Sequence, residues 1–92
     1  MKQVVVLVST EAAVDAVRTA LRECRDGYAQ TYLRALPLAA SEYGRKGVIS
    51  QLLYALCNMG SWRGETARQT KATLRAFCDQ HGELEEEAYG EA

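Results

Sequence analysis

His81, the single imidazole, stands three residues after Cys78, and that C-x-x-H spacing would bring both side chains to one helix face as half of a zinc site. A structural zinc site needs four ligands. Cys24 and Cys57 are lone residues on other segments, so core packing is the better account of the thiols and no metal is expected. A hydrolytic triad needs a nucleophile, a base and a group that orients the base. His81 falls instead near a helix C-terminus, where its role is to complement the negative end of the helix dipole. Glu85, Glu86 and Glu87 are adjacent like charges expected to stay solvated, not a carboxylate pair with divided pKa values. The chain is therefore expected to be non-enzymatic and to need no cofactor.

Cations are better placed than catalysts. Gly44-Arg45-Lys46-Gly47 precedes an apolar helix, so backbone N–H groups and two cations could meet a phosphate there. With Tyr43 before it and Val48-Ile49 after it, the segment resembles the G-x-x-G loop of KH domains, which clamps a single-stranded backbone. That family places a helix ahead of the loop, whereas Pro37 and an Ala-rich stretch stand there in this chain. A surface loop using glycine for sharp turns is the plainer reading. Arg68, Lys71 and Arg75 are three and four apart and share one helix face, with Arg63 near the helix start. Val48–Met59, a turn at Gly60 and Trp62–Gln80 imitate a helix-turn-helix reader. Against this, Trp62 is bulky, no Asn, Gln or Ser cluster lines the recognition face, and the pI is about 5.8 where nucleic-acid domains often exceed about 9. Direct nucleic-acid binding through Arg45, Lys46, Arg68, Lys71 and Arg75 is the alternative function, not the expected one.

Trp62-Arg63-Gly64-Glu65 is the sharpest local feature. A lone Trp at a helix start is either a core wedge or an anchor for a partner, and Trp and Arg are enriched among residues that dominate binding energy. Tyr28, Tyr32 and Tyr43 could extend such a surface.

Charge is divided along the chain. All eleven Lys and Arg lie between Lys2 and Arg75, and five of the twelve acidic residues occupy the last ten positions. Residues 1–81 carry a formal +4 and residues 82–92 a formal -5. In size, charge and Glu-rich end the chain is similar to small phage or mobile-element accessory proteins of the anti-CRISPR kind. That resemblance implies a protein-binding inhibitor or adaptor that blocks a host nucleic-acid-binding defence complex. Glu83, Glu85, Glu86 and Glu87 would then imitate phosphates in a partner's basic groove, with Trp62 and Arg63 completing the contact.

The elements that must position these residues can be read from periodicity. Ninety-two residues suit one domain, 1–81, followed by an acidic tail, 82–92. The longest apolar run, Val4 to Val8, is far short of the roughly 20 residues needed to span a bilayer. No signal-peptide pattern is present, and three widely spaced Cys do not make a disulfide framework, so a cytoplasmic location is expected. Gln3–Val8 reads as a buried strand. A helix follows to about Cys24, capped by Ser9 or Thr10, with Val14, Val17, Leu21 and Cys24 inward. Tyr28–Leu36 alternates and reads as a second strand between Asp26-Gly27 and Pro37, although Ala29, Leu33 and Leu36 also suit a short helix. Residues 37–47 are expected to be a loop, and Val48–Cys57 a helix stopped by Gly60 in a left-handed cap. A last helix turns Ala67, Thr70, Leu74, Phe77 and Cys78 inward and ends at His81-Gly82. The expected fold is α+β: a short two-stranded β-α-β sheet followed by a C-terminal helical hairpin, with Leu21, Leu52, Leu53, Leu56 and Leu74 in the core. Exposed sheet edges would favour a homodimer or a strand-donating partner.

Overall fold

Ser9 begins the first helix by accepting a hydrogen bond from the Ala12 N–H at 3.0 Å, which satisfies one of the free donors at a helix start. In a computed structural model, which describes residues 8–90 with side chains through His81, the order is α1 Thr10–Glu23, α2 Gly27–Arg34, α3 Leu36–Cys57 and α4 Glu65–Gly90. No strand occurs among the described residues, so the α+β expectation is replaced by an all-helical arrangement. Residues 3–7 of the expected first strand lie outside the described residues.

The second expected strand is α2. Asp26 is its N-cap, accepting from the Ala29 N–H at 2.9 Å, and Ala29 and Leu33 are buried one turn apart. A lone strand pair would leave backbone groups unpaired on both edges, whereas a helix satisfies them internally. Pro37 does not close a strand either. It sits in the first turn of α3, where its missing N–H is no loss.

The expected 37–47 loop is thus helical, but α3 is not one rod. Gly44 has φ 67° and ψ -151°, and the chain turns back sharply there. A Cβ built on Gly47 would lie 2.8 Å from the Ala39 carbonyl oxygen. Eight residues along a continuous helix span about 12 Å, so this closeness requires the two arms of α3 to fold against each other. Gly60 is not in a left-handed conformation; Gly64, with φ 113°, makes the turn into α4 instead.

α3 and α4 run antiparallel: Cys78 Sγ lies 4.0 Å from the Ile49 carbonyl oxygen, and Lys71 Nζ donates to the Met59 carbonyl oxygen at 2.7 Å. Ala67, Thr70, Leu74, Phe77 and Cys78 all face inward on α4, as their spacing requires. The expected stop at His81-Gly82 does not occur, and α4 continues to Gly90. One Gly costs about 1 kcal/mol against Ala in a helix, while the Glu, Leu and Ala that follow are good helix formers.

Three positions expected to face inward are exposed: Val14, Leu53 and Cys57. Leu53 is 46% exposed, and Cys57 is exposed, while Leu52, Leu56, Leu74, Cys24 and Cys78 are buried and Leu21 is half-buried. On α1 the buried stripe is Ala13, Ala16 and Ala20, with Val14 left 41% exposed. Small alanines let α1 approach α4 closely, and the bulkier valines turn to the flank.

Candidate functional site

The turn between α3 and α4 gathers residues that the sequence had assigned to two different functions. The Trp62 N–H donates to the Met59 carbonyl oxygen at 3.0 Å, and Gly64 then swings the chain into α4. Trp62 is half-buried against the core, so it is partly a wedge, yet it also lines a concavity of about 500 Å³. Arg63, Arg68, Lys71 and Arg75 line the same concavity, and among the described residues no carboxylate does. The partner-binding pair Trp62–Arg63 and the basic stripe Arg68–Lys71–Arg75 are therefore one site.

Its cations are not equivalent. The Lys71 ammonium is held by the Met59 carbonyl and lies 6.0 Å from the centroid of the Trp62 ring. Arg68 pairs with Glu65 one turn earlier on α4. Arg63 and Arg75 are exposed and have no ion pair among the described residues. The pocket thus offers two uncommitted guanidinium groups beside an indole face whose partner Lys is already positioned.

Arg45 and Lys46 lie elsewhere, just after the reversal at Gly44. The helix that a KH-like loop requires ahead of it is present as the first arm of α3, but no strand flanks it among the described residues. Arg45 and Lys46 are exposed and do not join the Trp62 pocket. Glu83, Glu85, Glu86 and Glu87 belong to the end of α4. A continuous helix rises about 1.5 Å per residue, so Glu83 is separated from Arg75 by about 12 Å along the axis. Through Gly90 the acidic stretch thus continues along the same helix as the basic stripe.

Cys78 and His81 are each packed against neighbours within the described residues. Burial, and next the neighbouring Asp79 charge, push the Cys78 thiol up from 9.0 to about 11, which keeps it protonated at neutral pH. The His81 ring stacks on Phe77 with centroids 4.3 Å apart, and its Nε2 lies 3.3 Å from the Val8 carbonyl oxygen. No group of three metal-ligating side chains occurs among the described residues.

Sequence reasoning missed a second surface. α1 packs on α4 and α2, but no Cα of α1 comes within 8 Å of α3. The gap is an apolar groove of about 580 Å³. Val14, Val17 and Leu21 form one wall, and Pro37, Val48 and Leu52 contribute to the other. Among the described residues, Arg18 and Arg34 are its charged side chains. A signal for it was present: α1 carries two adjacent apolar stripes, and one packing contact covers only the alanine stripe.

Neither the family models, the curated proteins nor the solved structures contain a match to this chain.

Proposed function

We propose that this chain is a non-enzymatic protein-binding inhibitor or adaptor that engages an acidic surface of its partner through the Trp62 pocket. The observation that carries this reading is the convergence of Trp62, Arg63, Arg68, Lys71 and Arg75 on one concave site. A half-buried Trp flanked by Arg has the composition of a binding hot spot, with a rigid aromatic body and guanidinium groups that take carboxylates two hydrogen bonds at a time. The resemblance to small phage accessory proteins implied a partner with a basic groove, whereas the cations of this pocket fit an acidic surface.

The same cations support direct nucleic-acid binding as the second reading, and their number weighs against it. Two of the four are already committed within the chain, which leaves Arg63 and Arg75 to neutralise phosphates. Two phosphates give a log-log salt slope of only about -2 on duplex DNA, which is the behaviour of a weak, non-specific binder.

The chain has a single Trp, so its emission reports directly on the pocket. Titration with an acidic, aromatic-containing peptide should shift Trp62 fluorescence, and the response should be lost in Arg63→Glu and Arg75→Glu, whose exposed positions leave folding intact. Sub-micromolar binding of an oligonucleotide at physiological salt, with a slope well beyond -2, would replace this reading with the nucleic-acid one. No response to either ligand would remove the pocket from the function.

A further inference from the structure

Glu65, the first residue of α4, has both carboxylate oxygens engaged by its own helix. Arg68 Nη2 donates to Oε1, and Gln69 Nε2 donates to Oε2 at 2.8 Å. Glu65 does not line the Trp62 pocket, but Arg68 does. A carboxylate outside the pocket thus holds a guanidinium group of its wall, in the way that a partner's carboxylate would. The Glu65 and Arg68 side chains are 62% and 75% exposed. An exposed pair one turn apart on a helix is weak, so a competing anion can open it at little cost.

The other cations of the pocket set the contrast. Lys71 is held by the Met59 carbonyl oxygen at 2.7 Å, a backbone group that a ligand cannot replace without loosening the turn. Arg63 and Arg75 carry no ion pair among the described residues. Arg68 is therefore the cation of the described pocket whose partner is an exposed, exchangeable carboxylate. It also lies between Arg63 and Arg75 in the chain, and Arg75 is two turns further along α4, about 10 Å on the axis. An acidic segment that spans Arg63 and Arg75 has to pass it.

We infer that, with the Trp62 pocket read as the site for an acidic partner, Glu65 is its specificity-determining residue: a built-in competitor that partner carboxylates must displace from Arg68. Glu65 is tethered three residues from Arg68, so its effective concentration there is high and a lone carboxylate in solution competes poorly. A segment with several carboxylates holds Arg63 and Arg75 first and then exchanges at Arg68 as a tethered group itself. The freed guanidinium fork takes the incoming carboxylate through two hydrogen bonds. The pocket therefore selects for clustered negative charge.

Titration of Trp62 emission with a Trp-free polyglutamate peptide, in the wild type and in Glu65→Gln, tests this. Glutamine keeps the side chain's size and removes its charge, and circular dichroism checks that α4 stays formed. Glu65→Gln should bind the peptide about two- to fivefold more tightly at low salt, the range set by an exposed ion pair. The gain should shrink as salt rises, since exposed charges are screened. It should also vanish once Arg68 is replaced, with Arg68→Gln plus Glu65→Gln binding no more tightly than Arg68→Gln alone. That cycle separates competition for Arg68 from a general effect of charge. Equal or weaker binding by Glu65→Gln, or an undiminished gain in the Arg68→Gln background, would overturn the inference and leave the pocket reading standing. Silence from both the wild type and Glu65→Gln would remove the two together, whereas a response from Glu65→Gln alone would support the competitor.

Discussion

Leu52 and Leu53 are neighbours in the sequence and opposites in the structure. Leu52 is 1% exposed, whereas Leu53 is 46% exposed on the outer face of α3. Leu53→Ala, expected from the sequence to cost about 2–4 kcal/mol, should instead cost about 1 kcal/mol or less, because solvent fills the space that the side chain leaves. Leu74 is fully buried on α4, and Leu74→Ala should cost about 2–5 kcal/mol through lost burial and an unfilled cavity. Urea unfolding of both variants checks the pair, and equal losses would contradict this burial pattern. Hydrophobic identity alone did not separate these residues, since a helix as apolar as Val48–Cys57 offers more than one face that could turn inward.

At the scale of elements, glycines decide where helices bend. Gly44 has a combination of φ 67° and ψ -151° that side-chain-bearing residues essentially never adopt. Gly44→Ala should cost about 1–3 kcal/mol and loosen the reversal within α3. Gly27 has ordinary φ and nothing within 4 Å of an added Cβ, so Gly27→Ala should be neutral or stabilise by about 0.4–1 kcal/mol. Thermal melts of the two variants should move in opposite directions or, at the least, by clearly different amounts. A matched response would mean that α3 tolerates a continuous path through residue 44. Asp26 and Pro37 carry the corresponding lesson for α2 and α3. Each was legible as a boundary, but Asp26 caps a helix and Pro37 opens one, and their residue types alone suit strand ends equally well.

Across the whole molecule, the first and last helices share a core. α1 lays its alanine stripe on α4, and the Val8 N–H donates to Gln80 Oε1 at 2.7 Å, so the start of the described chain closes on α4. Trp62 packs against the same core from the turn between α3 and α4. Unfolding followed by Trp62 emission and by helical circular dichroism should therefore give coincident transitions. Separate midpoints would show that the α2–α3 portion holds together without α1 and α4. The charge division has a molecular-scale meaning as well. One helix carries the basic pocket near its start and the Glu-rich segment at its end, so the two charges are set apart along its axis.

The sequence by itself determined the face that α4 buries, a cap of α1 at Ser9 or Thr10 and the shared helix face of Arg68, Lys71 and Arg75, because each follows from local spacing or from a side chain bonding its own backbone. Tertiary structure decided the rest. Tyr28–Leu36 satisfied two periodicities, and the helix prevailed where a strand would have needed a paired neighbour to satisfy its backbone. Ala13, Ala16 and Ala20 took the buried face of α1 because α4 comes close enough to select the small stripe over the valine one. The groove beside them exists only because α1 and α3 fail to meet. The union of Trp62 with the basic stripe depends on how Gly64 turns the chain, a conformation set by what the turn connects and not by the residues that it brings together.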